Sequence, residues 1–200
     1  MITLKKGQKI SLTKEAPNLK KMVVGLGWDV NSKVGGGLFS MFSGSGGSNN
    51  YDLDASAIIC RNGKYVSKKD LVYFGNLKAC DEAVVHNGDN LTGAGDGDDE
   101  QIIIDISRLP SDVDKIVIIV NIYSAKARKQ DFGQIKNAFI RIVDTSDDSE
   151  VCKYNLSEDY SGCRGMIFGE LYKKDNEWKF NPIGEGVKED TISEIARRYE

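Results

Sequence analysis

Proline and histidine are scarce in this sequence of 200 residues, which contains 3 prolines and 1 histidine, His86. Glycine is abundant, with 21 residues, so we expect the chain to bend at glycine turns rather than at proline-rich spacers. The single histidine leaves no HExxH motif, and neither a GxSxG nor a Walker sequence occurs. The sequence therefore lacks the usual signatures of zinc proteases, serine hydrolases and P-loop enzymes.

Long apolar runs and paired cysteines are also missing. No run approaches the roughly 20 apolar residues that cross a bilayer. The first nine residues include three lysines without the apolar core of a secretory signal, so we expect a cytoplasmic protein. The four cysteines form no Cys-x-x-Cys pair, and in a reducing compartment we expect free thiols at Cys60, Cys80, Cys152 and Cys163.

An excess of basic charge is absent as well. The chain has 27 Lys and Arg against 30 Asp and Glu, which gives a formal net charge of -3. A nucleic-acid-binding domain usually carries a basic stripe, so this composition argues against a nucleic-acid partner. The small basic patch of Lys126, Arg128 and Lys129 is more typical of a solvated face than of a lipid-binding surface.

Short runs rich in Val, Ile, Phe and Tyr alternate with turn residues along the chain, a pattern typical of β-strands. The run KIVIIVNIY is almost entirely apolar and predicts a central strand that is covered on both faces. Many short strands with close turns predict an all-β fold, a two-sheet β-sandwich. Strands are predicted at 2–4, 22–28, 53–60, 71–73, 83–85, 102–106, 115–123, 138–143, 151–154, 166–172 and 178–181.

Turn and helix signals complete this outline. Asn62-Gly63 and the 174–177 segment, KDNE, predict two hairpin turns. A short C-terminal helix is predicted by an apolar stripe at Ile192, Ile195, Ala196 and Tyr199, preceded by a Thr191–Glu194 capping box. A further helical turn is predicted at 125–129. Since no repeat or linker divides the chain, we predict a single domain over residues 1–200.

One segment, residues 31–50, differs from the rest because it is rich in glycine and serine around an apolar island at Leu38–Phe42. The composition predicts a loop insertion within the domain. The island either docks a partner or a membrane surface or folds back onto the domain, and folding back is favoured.

Acidic residues are concentrated in the segment 81–100, which contains seven Asp and Glu residues and no Lys or Arg. Carboxylates this close repel one another and raise each other's pKa. Glycines between them allow tight wrapping, and Asn90 and Thr92 add neutral oxygens. The run QIIIDI follows directly and would hold one end of the segment in a strand. A bound hard cation would relieve the repulsion, and oxygen ligands favour Ca²⁺ over Mg²⁺.

The twelve residues Asp89–Glu100 do not form an EF-hand loop. Leu91 and Gly93 stand at ligand positions of that loop, and Ala94 stands where it requires glycine. A calcium loop of another kind remains. One loop rarely supplies all ligands, so Asp29, after an apolar run, and Asp52 with Asp54, two residues apart, are further candidates. Should all three converge on the acidic segment, the oxygens would suffice for two ions.

Five motifs, in order along the chain, resemble the TerD family of bacterial tellurium-resistance and general stress proteins. They are MVVGLGWD, DLDASA, GDNLTGAGDGDDE, FGQIKNAFIRIVD and FGELYKKDNEWKF. The resemblance extends from about residue 1 to 199. The segment 31–50 looks longer than the corresponding loop of typical members.

This resemblance implies a β-sandwich that binds two Ca²⁺ ions. It implies no catalytic activity, since none is firmly attached to the family. It also implies a cytoplasmic role beside other tellurium-resistance proteins, with a TerC-type membrane protein that would bring it to the inner face of the membrane. Carried over position by position, the implied metal ligands are Asp29, Asp52, Asp54, Asp89, Asn90, Asp96, Asp98, Asp99 and Glu100.

Two other functions remain open at this stage. The same carboxylates would suit a metal-dependent hydrolase or phosphotransfer enzyme with His86 as general base, although we favour a surface or strand-end position for His86. The four cysteines would suit direct thiol chemistry with tellurite, although their scatter favours a structural role. Asp81 and Glu82 are interpreted as a solvated turn.

Overall fold

The computed structural model describes residues 1–30, 51–87 and 97–200. In these ranges the chain forms strands β1 Ile2–Leu4, β2 Ile10–Ser11, β3 Lys21–Val30, β4 Leu53–Arg61, β5 Leu71–Val72, β6 Lys78–Ala79, β7 Val84–His86, β8 Glu100–Asp105, β9 Val113–Ile122, β10 Ile135–Asp144, β11 Glu150–Asn155, β12 Gly165–Lys174 and β13 Glu177–Val187. The α-helices are α1 Leu12–Glu15, α2 Ala125–Arg128 and α3 Ile192–Ala196, and 3-10 turns cover Lys68–Asp70, Phe132–Gln134 and Arg197–Tyr199.

The strands form two sheets, which confirms the predicted all-β sandwich. The seven-stranded sheet has the order β1-β11-β10-β3-β8-β7-β6, and the six-stranded sheet has the order β2-β13-β12-β9-β4-β5. β1 pairs with β11 in parallel, whereas the other strand pairs are antiparallel. The central strands of the two sheets, β3 and β9, are each ten residues long.

The main core lies between the sheets because alternate residues of each strand point inward. Met22, Val24 and Leu26 of β3 are fully buried in the same cluster as Ile116 and Ile118 of β9. Both sheets thus contribute to one hydrophobic core. The single-domain assignment over residues 1–200 stays a prediction, and segment 31–50 lies outside the described residues.

A second apolar cluster covers the outer face of the six-stranded sheet. Val117 and Ile119 of β9 pack there with Ile195 and Ala196 of α3. β9 is therefore buried on both faces, as its continuous apolar sequence predicts. The capping box between Thr191 and Glu194 is formed, and the predicted C-terminal helix is confirmed.

Both predicted hairpin turns are confirmed and use left-handed backbone conformations. Asn62 and Gly63 have φ angles of 50 and 83°, and Asp175 and Asn176 have φ angles of 55 and 58°. Positive φ at both central positions matches the right-handed twist of the flanking strands. The short strands β2 and β6 and helix α1 have no counterpart in the sequence prediction, because two to four residues are too few to show a periodicity.

Candidate acidic site at one end of the sandwich

Asp29 and Asp99 lie together at the end of β3. The Asp99 Oδ2 atom accepts a hydrogen bond of 2.7 Å from the Trp28 backbone N–H, and Asn137 donates to Asp29 Oδ2 at 2.6 Å. Both aspartates line a cavity of about 380 Å³. Asn137 and Asn155 also line it and add amide oxygens, which together with carboxylates are the ligands that calcium prefers. The lining also contains one basic residue, Lys153, whose Nζ atom lies 3.8 Å from the centroid of the Phe139 ring.

Two glycines of β3 let the end of the acidic segment lie against the seven-stranded sheet. A Cβ atom on Gly25 would overlap the carboxylate of Asp98. A Cβ atom on Gly27 would overlap the Phe139 ring first and would also come within 2.9 Å of the Gly97 carbonyl oxygen. Any larger residue at these positions would displace the segment. The Asp99 N–H also donates to the Leu26 carbonyl at 2.7 Å, which continues the β3–β8 ladder.

The Asp99 carboxyl group has an elevated pKa. Burial is the largest cause, and the negative charges of Asp29 and Asp98 add to it, whereas the hydrogen bond from Trp28 opposes it. Like charges that remain close together after folding are destabilising unless a cation neutralises them. The electrostatics at Asp99 therefore favour an added positive charge.

Asp98 is not among the residues that line this cavity, and a basic side chain already neutralises its charge. Arg141 forms a two-pronged ion pair with it, with Nε–Oδ1 and Nη2–Oδ2 distances of 2.7 and 3.1 Å. Gln101 donates a third hydrogen bond at 3.0 Å. These contacts hold the Asp98 side chain, which is 1% exposed, over Gly25. Consecutive acidic residues thus have different environments.

Glu100 points inward, between the two sheets, and contacts β4. Its Oε2 atom accepts a hydrogen bond of 2.5 Å from the Ala55 N–H and lies 3.4 Å from His86 Nε2. His86 Nε2 also lies 3.2 Å from the Ala55 carbonyl oxygen. The predicted strand-end position of His86 is confirmed, but a surface position is wrong, because His86 is 3% exposed and packs against β4.

Asp52 and Asp54 lie at the start of β4 in different surroundings. Asp52 is half-buried, and its Oδ2 atom lies 3.6 Å from an Arg128 Nη1 atom. Asp54 is 4% exposed and pairs in register with Asn121 of β9. Its neighbours Leu53 and Ala55 belong to the core between the sheets, so Asp54 lies on the outer face of the six-stranded sheet.

The predicted ligands are thus brought together only in part. Asp29 and Asp99 share a cavity, whereas Asp98, Glu100, Asp52 and Asp54 have the separate contacts given above. Asp89, Asn90 and Asp96 lie outside the described residues. Across ranges 1–30, 51–87 and 97–200, no three His, Cys, Asp or Glu side chains are arranged to hold a metal ion. Asp81 and Glu82 are exposed, with left-handed backbone, which confirms a solvated turn.

Sequence analysis missed Asn137 and Asn155 as oxygen donors beside Asp29. Asn137 reaches Asp29 because β10 changes register between Lys136 and Phe139, and Asn137 itself has a φ angle of 53°. Asparagine tolerates this conformation better than most residues, but an isolated asparagine in a strand-like run gives no clear signal for a bulge.

The cysteine environments bear on thiol chemistry. Burial raises the pKa of Cys60 to about 11 and that of Cys152 to about 12. Burial is also the largest cause of the raised pKa values of Cys80 and Cys163. The four cysteines are free thiols, as predicted. Since the thiolate is the nucleophilic form, these environments disfavour reactive thiols.

The fold and the acidic site define a two-sheet β-sandwich with clustered oxygen donors at one end. The TerD domain model matches residues 1–199. Stress response protein SCP2 of Bacillus subtilis (strain 168) is 52% identical over 198 residues, which covers 99% of this chain and 98% of that protein. Tellurium resistance protein TerD of Serratia marcescens is 45% identical over 186 residues, which covers 92% and 90% of the two chains. The chain therefore belongs to the TerD family, as its motifs indicated.

A solved structure supports the fold independently. The crystal structure of a homologue of telluride resistance protein from Streptomyces coelicolor A3(2) superposes with a TM-score of 0.65 at 17% sequence identity. The match covers 91% of this chain and 98% of that chain. In the described part of the chain, no helix is long and apolar enough to span a membrane.

Proposed function

We propose that this member of a tellurium-resistance and stress-response family is a non-enzymatic calcium-binding protein that acts as a calcium-dependent interaction module. The observation that carries the proposal is the pairing of Asp29 and Asp99 around one cavity, where burial and neighbouring negative charge raise the pKa of Asp99. Lys153 offsets one of the two carboxylate charges in this lining, and a divalent cation would neutralise the remainder.

Each side chain would have a distinct role. Asp29 and Asp99 would supply carboxylate oxygens, and Asn137 and Asn155 lie where amide oxygens can contribute. Asp98 would anchor the segment through Arg141 rather than bind the ion. Asp89, Asn90 and Asp96 would complete the coordination, and Asp52, Asp54 and Glu100 are the candidates for the second of two ions.

Calcium would act by ordering the acidic segment. An ion that binds only the folded state stabilises that state, so loop order and ion binding are linked. The ordered segment would then present or complete a surface for other tellurium-resistance proteins and a TerC-type membrane protein. Membrane association would occur only through that partner, at the inner face.

Isothermal titration calorimetry of metal-free protein with Ca²⁺ tests the proposal. We expect binding by the unmodified protein, a rise in melting temperature, and an affinity loss of about tenfold or more in Asp99→Asn, because one charged ligand is removed. Asp148→Asn is the matched control, since Asp148 is exposed and has a φ angle of 56° that asparagine tolerates.

An absence of both heat and thermal stabilisation at millimolar Ca²⁺ would falsify the proposal. If Asp99→Asn and Asp148→Asn bound Ca²⁺ with equal affinity, the ion would instead bind outside this cavity. The same two variants, used as bait for a TerC-type protein with and without Ca²⁺, test the interaction role. Equal capture of the TerC-type protein with and without Ca²⁺ would contradict a calcium-dependent interaction.

The alternative function, a metal-dependent hydrolase or phosphotransfer enzyme, gains little from the geometry. A general base must reach the substrate, whereas His86 is buried between the sheets and contacts Ala55 and Glu100. The relatives are named as resistance or stress proteins. Metal-dependent cleavage of a simple phosphoester by the unmodified protein, lost in Asp99→Asn, would favour the enzyme.

A further inference from the structure

A second cavity, separate from the one that Asp29 and Asp99 line, opens beside the outer face of the six-stranded sheet. Its volume is about 590 Å³, which is within the usual range for small-molecule sites. It is bounded by the segment after β5, the end of β9, helix α2 and the first residues of α3. Three separated parts of the chain therefore converge on one concave surface.

One wall of the cavity consists of three aromatic rings. Tyr73 and Phe74 meet edge to face with centroids 5.3 Å apart, and Phe74 meets Tyr123 in the same manner at 6.1 Å. Phe74 and Tyr123 are each 47% exposed. Such exposure of linked aromatic rings is unusual for a surface without a ligand, and a flat apolar molecule would cover it.

Among the polar residues that line the cavity, Asn121 is the one that is buried. This side chain is 6% exposed, and its Oδ1 atom accepts no hydrogen bond from any residue in the described part of the chain. Buried polar atoms are nearly always paired, so an unpaired acceptor in a cavity wall indicates a missing donor. A ligand N–H group at this position would satisfy it.

Charged side chains around the cavity are largely committed elsewhere. Asp190 at its edge is paired with Arg164. Arg128, next to the cavity, lies over the Tyr123 ring at 5.4 Å and contacts Asp52. Lys126 is exposed at the rim. The inner surface thus combines aromatic faces with a neutral acceptor, which suits an uncharged ligand.

We propose that this cavity binds a small, neutral, planar aromatic molecule that carries an N–H donor on one edge. The ring packs against Phe74 and Tyr123, and the N–H donates to Asn121 Oδ1. The lining contains neither Asp29 nor Asp99, but Asn121 lies opposite Asp54, a candidate ligand of the second ion. All titrations are therefore made in chelator, so that failure of this proposal is distinguishable from failure of the calcium proposal.

Indole is a suitable probe because it has this shape and one N–H donor. We expect titration of ¹⁵N-labelled protein with indole to shift the backbone amide signals of Tyr73, Phe74 and Tyr123, with a dissociation constant weakened at least about fivefold in Phe74→Ala. Leu77→Ala is the matched control, since Leu77 is 43% exposed and lies outside the cavity lining. Shifts elsewhere, or equal weakening in both variants, overturn the site.

Benzofuran tests the hydrogen bond, because it has the shape of indole with an acceptor in place of the donor. We expect the unmodified protein to bind indole about fivefold to tenfold more tightly than benzofuran. This preference should disappear in Asn121→Leu. Equal binding of the two compounds by the unmodified protein, or a preference for benzofuran, overturns the assigned ligand class even if Asn121→Leu fails to fold.

Discussion

At the scale of single residues, neighbouring acids in the sequence have opposite roles in the folded chain. Asp98 forms an ion pair with Arg141, whereas Asp99 is buried, has no such partner among the described basic side chains, and lies close to the negative charge of Asp29. The difference arises because the two side chains, which directly precede β8, point in different directions: Asp98 lies over Gly25, and Asp99 accepts a hydrogen bond from the Trp28 N–H. Composition alone describes one acidic block, but the fold separates a structural carboxylate from a candidate ligand.

Asp99 gives a prediction whose sign depends on calcium. Because its folded pKa is raised above 3.8, the free energy of unfolding should decrease as pH rises from 3.8 through the raised value. At pH 7 without metal, Asp99→Asn should therefore raise the melting temperature of the protein, because the buried negative charge is removed. The asparagine keeps an oxygen for the Trp28 N–H.

With saturating Ca²⁺ the same substitution should lower the melting temperature relative to the unmodified protein, because a charged ligand is lost. Differential scanning calorimetry in chelator and in Ca²⁺ measures both effects, with Asp148→Asn as reference. A destabilised metal-free Asp99→Asn would contradict the electrostatic interpretation of this site.

At the scale of elements, β3 is the strand that positions the candidate site. Its inner face is apolar, but Gly25 and Gly27 leave room on the outer face for the end of the acidic segment. Glycine normally weakens a strand, and here it marks a close approach of another part of the chain. The sequence MVVGLGWD thus forms a strand whose inner face packs in the core and whose outer face accommodates the end of the acidic segment.

Gly25→Ala tests the close approach of Asp98 to β3. The added methyl group should overlap the Asp98 carboxylate, disturb its ion pair with Arg141, and reduce the free energy of unfolding by about 2 kcal/mol. Urea denaturation measures the change. The double variant with Asp98→Ala is the control, since removing the carboxylate should make Gly25→Ala much less costly. Strictly additive effects would show that the two residues do not meet.

At the scale of the whole molecule, packing between the two sheets determines which side chains solvent can reach. Cys152 belongs to the core between the sheets, and Cys60 belongs to the cluster under α3. Both have raised pKa values because burial disfavours the thiolate. Direct reaction of Cys60 or Cys152 with tellurite would therefore require the sandwich to open.

Alkylation with iodoacetamide at neutral pH, followed by mass spectrometry, tests this protection. Cys60 and Cys152 should react at least about 100-fold more slowly in the folded protein than in urea, since a pKa rise of two units alone lowers the thiolate fraction by that factor. Half-buried Cys80 and Cys163 serve as internal references and should react first. Rapid labelling of Cys152 in the folded chain would contradict the packing described.

Local sequence was enough to predict most strands, both hairpin turns and the C-terminal helix, because these depend on periodicity and turn chemistry. The two-residue strands β2 and β6 were the strands it missed. The buried run of β9, the Asn62-Gly63 turn and the Thr191–Glu194 capping box were all predictable for this reason. Motif order also indicated the family. Spacing could not determine which carboxylates meet, since residues far apart in sequence become neighbours only through strand pairing and sheet packing.

Only the tertiary structure brought Asn137 to Asp29, placed Arg141 on Asp98, and buried His86 against β4. The cavity beside Asn121 likewise exists only where the ends of several elements converge. Contacts of this kind depend on a register shift in a strand, on glycines that leave space for another segment, and on the packing of two sheets face to face. None of these features produces a periodic pattern in the sequence. The candidate sites could therefore be located only in the folded structure, whereas the fold class could be predicted from the sequence.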